Sequence, residues 1–331
     1  MPPRRIIIVI AAVCLTVAVA YGGFWWVVAG MIRDGITDWA EARRAEGFEL
    51  TYETLAIDGF PGRIAVTLTR PSVARPESGG AAGWRWRASR LAAEMSPFAP
   101  DRIAITLPDV QRLDYGGRQM EITVARGVAV YTPPGEAPES LAVEASAIAV
   151  ASPGGRFTLD SLTGLIRRGG EALIELEIDG LGLTLAARVK TILGREIKLV
   201  AVTASHDGAL PEDFSGPALA AWSTGGGTVE FERLDLEWGA VEIAAEGTLT
   251  LDAELRPEAA FSAEIAGYGG LLDGLAESGG MKPRDASFAK TFLNLMAKRV
   301  SGRRVIKVAL TAQNGTLFVG PLPLIKLAPV F

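Results

Sequence analysis

Acid–base, nucleophilic and metal chemistry draw on a few side-chain types, and this chain of 331 residues has one histidine and one cysteine. His206 stands in Thr203-Ala204-Ser205-His206-Asp207-Gly208, a composition that reads as a turn after a strand. A Ser-His-Asp site would have to be built on it, and the turn context points instead to a solvated side chain. Zinc sites of the His- and Cys-rich kinds need several such ligands. Cys14 lies in an apolar run and reads as a small apolar residue of a membrane helix. A lipoprotein reading is weaker, because Val13 precedes it where a small residue is wanted and apolar sequence follows. There is no G-x-S-x-G elbow, phosphate loop or dinucleotide fingerprint. Gly225, Gly226 and Gly227 lead into Thr228-Val229-Glu230-Phe231, which reads as a strand after a flexible turn. Asn314-Gly315-Thr316 matches a glycosylation sequon, and Asn-Gly is more simply a hairpin turn. Carboxylate pairs for glycoside chemistry are assembled by folding; the acidic residues here mostly alternate with apolar ones, as solvent-facing strand positions do. The sequence therefore assigns no catalytic, cofactor-binding or metal residue and no cofactor, and it predicts a protein that is not an enzyme.

The first thirty residues say where the protein sits. Arg4 and Arg5 precede an uncharged stretch from Ile6 to Ile32, and Arg33 and Asp34 follow it. Such a run reads as a membrane-spanning helix, reaching roughly 40 Å at about 1.5 Å per residue. A cleaved signal is the rival reading, since Ala18-Val19-Ala20 matches a small-residue cleavage pattern. Cleavage after Ala20 would leave Tyr21 to Ile32, with Phe24, Trp25 and Trp26, as an exposed apolar tail, which favours a retained anchor. The basic residues on the two sides do not by themselves decide orientation. A five-residue basic stub is typical of the cytoplasmic side, so the expected arrangement is a single pass of the inner membrane through residues 6–30 with the body in the periplasm. The net charge of −5 and pI near 5.2 argue against a nucleic-acid partner.

The elements behind these residues change period along the chain. Ile32, Ile36, Trp39 and Ala40 share one helical face, predicting a juxtamembrane helix over 33–47 that stops near Gly47. From Phe48 the period becomes two. Ile64, Val66 and Leu68 alternate with polar or small residues, as do Ile103, Ile105 and Leu107, and the longest run is Val241 to Leu251. Turn residues punctuate the runs, as at Pro133-Pro134-Gly135, Arg168-Gly169-Gly170 and Asn314-Gly315. This predicts about sixteen to eighteen strands in a meandering antiparallel sheet. Three short helices interrupt it: Pro217 to Trp222 after a Ser215 cap, a stripe of Tyr268, Leu271, Leu272 and Leu275, and a stripe of Phe288, Phe292, Leu295 and Met296 ending near Gly302. The fold class is thus mainly β: a curved antiparallel sheet with an N-terminal transmembrane helix, a few packing helices, and an open groove as one outcome. The expected organisation is 1–32 stub and anchor, 33–47 amphipathic helix and 48–331 body, with a seam near 205–227.

Several segments in this order resemble a known family. They are the Arg-Arg stub and span, the Trp39 helix, Leu55-Ala56-Ile57-Asp58-Gly59-Phe60-Pro61-Gly62-Arg63 and the Trp84-Arg85-Trp86 strand. Gly247-Thr248-Leu249-Thr250-Leu251-Asp252, Tyr268-Gly269-Gly270-Leu271-Leu272 and a closing Gly320-Pro321-Leu322-Pro323-Leu324 complete the set. Together they resemble domain-of-unknown-function family 2125 of alphaproteobacteria, which implies no activity. The Gly-x-Leu-x-Leu-Asp strand is also similar in style to AsmA-like envelope proteins, which are β-rich, anchored in the inner membrane and associated with lipid transport. Two readings follow. In one, an apolar strand face, with room left by Ala65, Ala245 and Ala263, binds acyl chains of an envelope lipid. In the other, a flatter patch anchored by Trp84, Trp86 and Trp238 docks another envelope protein.

Overall fold

A computed structural model describes residues 3–77, 82–135, 137–169, 173–211, 215–300 and 303–330, with side chains from Ala12 onward except at 300, 322 and 324. Gly170, expected in a turn, and Gly302, expected to end the last helix, lie outside the described residues.

The apolar stretch and the amphipathic helix expected after it are one rod. Helix α1 (Pro3–Ala45) runs unbroken for 43 residues, about 65 Å at 1.5 Å per residue. Arg43 and Arg44 occupy its last turn, where they complement the negative end of the helix dipole. Gly47, at φ 91°, takes the left-handed conformation that lets the chain leave the helix. The stretch from Ala12 is long and apolar enough to cross a membrane.

The strands follow as β1 (Glu49–Thr51), β2 (Thr54–Asp58), β3 (Ile64–Thr69), β4 (Ser72–Arg75), β5 (Trp84–Ala88), β6 (Arg90–Ser96), β7 (Ala99–Thr106), β8 (Val110–Tyr115) and β9 (Arg118–Thr132). Next come the long β10 (Ser140–Ser152), β11 (Gly155–Gly169), β12 (Leu173–Thr184) and β13 (Glu196–Asp207), then α2 (Gly216–Thr224), β14 (Val229–Trp238), β15 (Val241–Leu251) and β16 (Pro257–Ala266). Helices α3 (Tyr268–Glu277) and α4 (Pro283–Met296) precede β17 (Lys298–Val300), β18 (Arg303–Gln313), β19 (Thr316–Val319) and β20 (Leu322–Lys326). Among the described residues, the twenty strands form one antiparallel sheet, open and uncurled. Its own curvature therefore does not wall a trough. The expected turn chemistry is present: Asn314 at φ 50° and Gly315 at φ 64° join β18 to β19, as a type I′ hairpin requires.

Strand β9 is where the sheet divides. Its first half pairs with β8 and its second half with β7, on the edge opposite β10. One branch continues β8–β5–β4–β1 and the other β7–β6–β3–β2. Helix α1 touches the last strand of each, β1 and β2. Beyond β9 the sheet is a plain meander, β10 through β16, closed by β18, β19 and β20. Strands β13 and β14 pair directly across residues 205–227. The densest core lies at the far end, where Tyr268, Leu272, Ala289 and Leu293 of α3 and α4 bury Val241, Ala245, Ala263, Ile265 and Ile306. Helix α2 starts at Ser215, whose Oγ accepts from the Ala218 N–H at 3.4 Å, with Pro217 in its first turn.

Candidate functional site

The register of the hairpins lines up apolar side chains across strands. In the register, Ile57 pairs with Val66, Val66 with Ala93, Ala93 with Ile105 and Ile105 with Ala129. The row continues through Val143, Gly164, Ile178, Val202, Leu234, Ala245, Ala263 and Val308. Cross-strand partners face the same side of a sheet, so thirteen strands present a row with no polar side chain. At about 4.8 Å between strands its contour is about 58 Å. A second row, two residues along, runs from Ile64 and Met95 through Tyr131, Leu141, Leu176, Ala204 and Phe231 to Leu310. A third contains Ala145, Leu162, Gly180, Val200, Leu236, Ile243, Ile265 and Ile306. Gly182, at φ 68°, breaks the regular strand geometry just past the third row.

The face between these rows and solvent is covered unevenly. At the far end α3 packs on β15 and α4 on β18, and Ile306 is 1% exposed. In the middle, Val143, Ile178 and Val202 stay half-buried. Ala245 and Ala263 are on the apolar face but sealed under α3 and α4, so they leave no room for a ligand. Ala65 faces the other way, in register with Asp58 and Glu94. Room comes from glycines instead. A Cβ at Gly164 would meet nothing nearer than the Glu177 carbonyl oxygen at 3.8 Å, and one at Gly180 nothing nearer than Leu159 Cδ1 at 3.6 Å. The surface clefts are small: one edged by Arg87, Arg112, Asp114 and Glu121 holds about 280 Å³, at the bottom of the range for small-molecule sites.

The opposite face is polar and laced with ion pairs. Arg233 reaches Asp235 at 2.7 Å and Asp179 at 3.3 Å, and Lys307 reaches Glu264. Solvated pairs of this kind add little stability, but they mark that side as the wet one. Tyr131 is the one hydroxyl in the second row as far as Leu310. It donates to Glu139 Oε1 at 2.9 Å, and this hydrogen bond, with burial and the carboxylate charge, pushes its phenol pKa up.

His206 corrects the sequence reading. It is not a solvated turn residue: Asp207 still pairs with Leu173, and His206 is buried on β13. Trp222 of α2 donates its indole N–H toward His206 Nε2 at 3.4 Å. Indole nitrogen only donates, and the short 2.8 Å contact from Nδ1 to the Thr228 carbonyl assigns the proton to Nδ1. Nε2 is left to accept from the indole, with the Ala209 carbonyl at 3.5 Å from it, the limit of a hydrogen bond. Both ring nitrogens are thus engaged in holding α2 and the β14 entry. The three tryptophans expected to anchor a partner are likewise held in packing. Trp86 donates to Gln111 Oε1 at 3.0 Å, Trp238 to the Gly194 carbonyl at 2.9 Å, and Trp84 meets Phe48 edge-on at 6.3 Å.

The near end of the rows lies against α1. Tyr21 donates its hydroxyl to the Pro61 carbonyl, and Trp25 donates its indole N–H to the Arg63 carbonyl at 3.1 Å. Ile64, next along the chain, is 1% exposed. Tyr21 also stacks on Phe98 and Trp25 meets Phe60 edge-on.

Residues 25–328 match the family described as an uncharacterized protein conserved in bacteria, DUF2125. The chain belongs to that family. The match spans the body and the C-terminal half of α1, bearing out the resemblance to family 2125 for the segments from Trp39 onward. No curated protein and no solved structure matches the chain.

Two features of this family member escaped the sequence reading. The cluster of Tyr21, Trp25, Phe60 and Phe98 joins residues far apart in sequence; its one local sign is a phenylalanine at the tip of a turn, in Gly59-Phe60-Pro61-Gly62 and again in Ser96-Pro97-Phe98. The rows were missed because alternation within a strand says which residues share a face, while alignment between strands depends on hairpin register.

Proposed function

We propose that this is an inner-membrane protein with its body in the periplasm, which binds acyl chains of an envelope lipid along the apolar rows. The observation that carries this reading is the central row: thirteen aligned strands without a polar side chain, starting beside the membrane helix and half-buried in the middle. An acyl chain laid there gains about 0.8 kcal/mol for each CH₂ removed from water. The similarity in style to AsmA-like, lipid-associated envelope proteins, and the alphaproteobacterial setting of the resemblance, point the same way. The reading makes the protein a binder, not an enzyme; in support, both nitrogens of its one histidine are committed to backbone and indole partners.

The uncurled sheet favours a second reading, a scaffold docking another envelope protein on the same face, since flat patches suit protein partners. One experiment separates the two. The full chain is reconstituted in vesicles containing a phosphatidylcholine with a diazirine at its acyl terminus, irradiated, digested and mapped by mass spectrometry. Lipid binding predicts adducts on Val143, Ile178 and Val202 as well as on α1. Adducts confined to α1 favour the scaffold.

A further inference from the structure

We propose that the β2–β3 and β6–β7 hairpin tips insert Phe60 and Phe98 into the headgroup boundary of the bilayer that α1 crosses, giving the body a second hold on the membrane. The inference rests on α1 spanning the membrane and not on acyl binding along the rows.

From Arg5 to Trp25 the helix rises about 30 Å, which matches the hydrocarbon thickness of about 30 Å. With Arg5 at one boundary, Phe24, Trp25 and Trp26 fall at the other and Tyr21 about one turn inside it, within the zone where aromatic side chains concentrate. The hairpin tips sit at that level. Phe98 stacks on Tyr21 with ring centroids 5.9 Å apart and planes 12° from parallel. Phe60 lies 5.9 Å from Tyr21 and 5.8 Å from Trp25. Yet Phe60 is 56% and Phe98 76% exposed, so the helix covers only one side of each ring. Groups held against Tyr21 on a spanning helix share its depth, and what meets their open sides there is lipid. The cleft between the two hairpins is edged by Arg63, Arg102 and Glu94; Arg63 reaches Glu94 at 3.3 Å, which leaves Arg102 as the cation facing the level of lipid phosphates.

The test uses the full chain with Cys14→Ala and single cysteines carrying an environment-sensitive NBD label. Positions are Phe60, Phe98, Val17 as a lipid reference and Thr163 on the polar face as a water reference. Ala99 is added because labelling it leaves both phenylalanines in place. The proteins are reconstituted in phosphatidylcholine vesicles with shallow or deep spin-labelled lipid. The expected result is blue-shifted emission at 60, 98 and 99, with quenching by the shallow spin label several-fold above that at 163. Emission at 60, 98 and 99 matching 163, with 17 still in lipid, overturns the inference and leaves the span standing. Water-like emission at 17 as well overturns both. None of these readings depends on ligand in the apolar rows, so that proposal fails or survives separately.

Discussion

Gly164 sits in the middle of the central row, and adding a side chain there tests whether the face is open. Its φ is not left-handed, and the nearest atom to a new Cβ is the Glu177 carbonyl oxygen at 3.8 Å. Gly164→Ala is therefore unstrained, and narrowing the unfolded ensemble raises stability by about 0.4–1 kcal/mol. For a chain of this size that is a melting shift of about 1 °C. Gly164→Leu goes further, setting a branched side chain between Val143 and Ile178. If it displaces about four methylenes of a bound chain, binding weakens by about 3 kcal/mol, on the order of a hundredfold. The assay is diazirine-lipid crosslinking of the full chain, with adducts at Ile178 and Val202 normalised to those on α1 in the same sample. Denaturant melts run in parallel. The expected pair of results is Ala at or above wild-type stability and Leu with row adducts collapsed. A loss of more than about 1 kcal/mol in the Ala variant would mean that something already packs on Gly164. Undiminished adducts in the Leu variant would mean that lipid does not lie there.

Four further outcomes follow from the same geometry. Ile306→Ala removes a side chain sealed under α3 and α4 and should cost about 2–5 kcal/mol in urea unfolding; a change below about 1 kcal/mol would show that the helix pair is loosely seated. Burial opposes the charged form of Asp252, but hydrogen bonds from the Arg256 N–H and guanidinium and from the Glu254 N–H outweigh it and hold its pKa below the usual range. A depressed folded-state pKa stabilises above the unfolded value of about 3.9 and is lost as pH falls through the folded value, so Asp252→Asn should flatten the acid limb of stability below about pH 4, and an unchanged limb would contradict the assignment. A reporter active only in the periplasm, fused at the C-terminus, should be active; activity of a cytoplasm-only reporter there would reverse the proposed topology. His206→Ala should lower stability by about 1–3 kcal/mol through the lost Thr228 hydrogen bond while still complementing a deletion strain, and failure to complement at normal protein abundance would reinstate a catalytic role.

Local patterns were legible and non-local ones were not. The Ser215-Gly216-Pro217 start of α2, the Tyr268 and Phe292 stripes and the Asn314-Gly315 hairpin all carry their reason within a few residues, and each stands where the spacing puts it, except that α4 stops at Met296, short of the expected end near Gly302, because Lys298–Val300 pairs with β18. Gly47 likewise ends α1. Short edge segments such as β1 and β17 have three residues each, too few to show a period, which explains twenty strands where fewer were expected. The division at β9 depends on two halves of one strand choosing different partners, and no residue in Arg118–Thr132 announces it. His206 was misplaced because Ser205-His206-Asp207-Gly208 has turn composition, while pairing with Ile174 and Val229 keeps it in the sheet. Ala245 and Ala263 looked like open space on the apolar face; the helices that fill it come later in the chain.

The central claim is that lipid, not protein, meets the middle of the apolar face. It is tested most directly by placing a photoreactive amino acid at Val202 of the full chain in living cells, with Val17 as the membrane reference, and weighing the adducts after irradiation. The account predicts a phospholipid-sized mass increment at both positions. A protein-sized adduct at Val202, or none at Val202 with lipid captured at Val17, would contradict it.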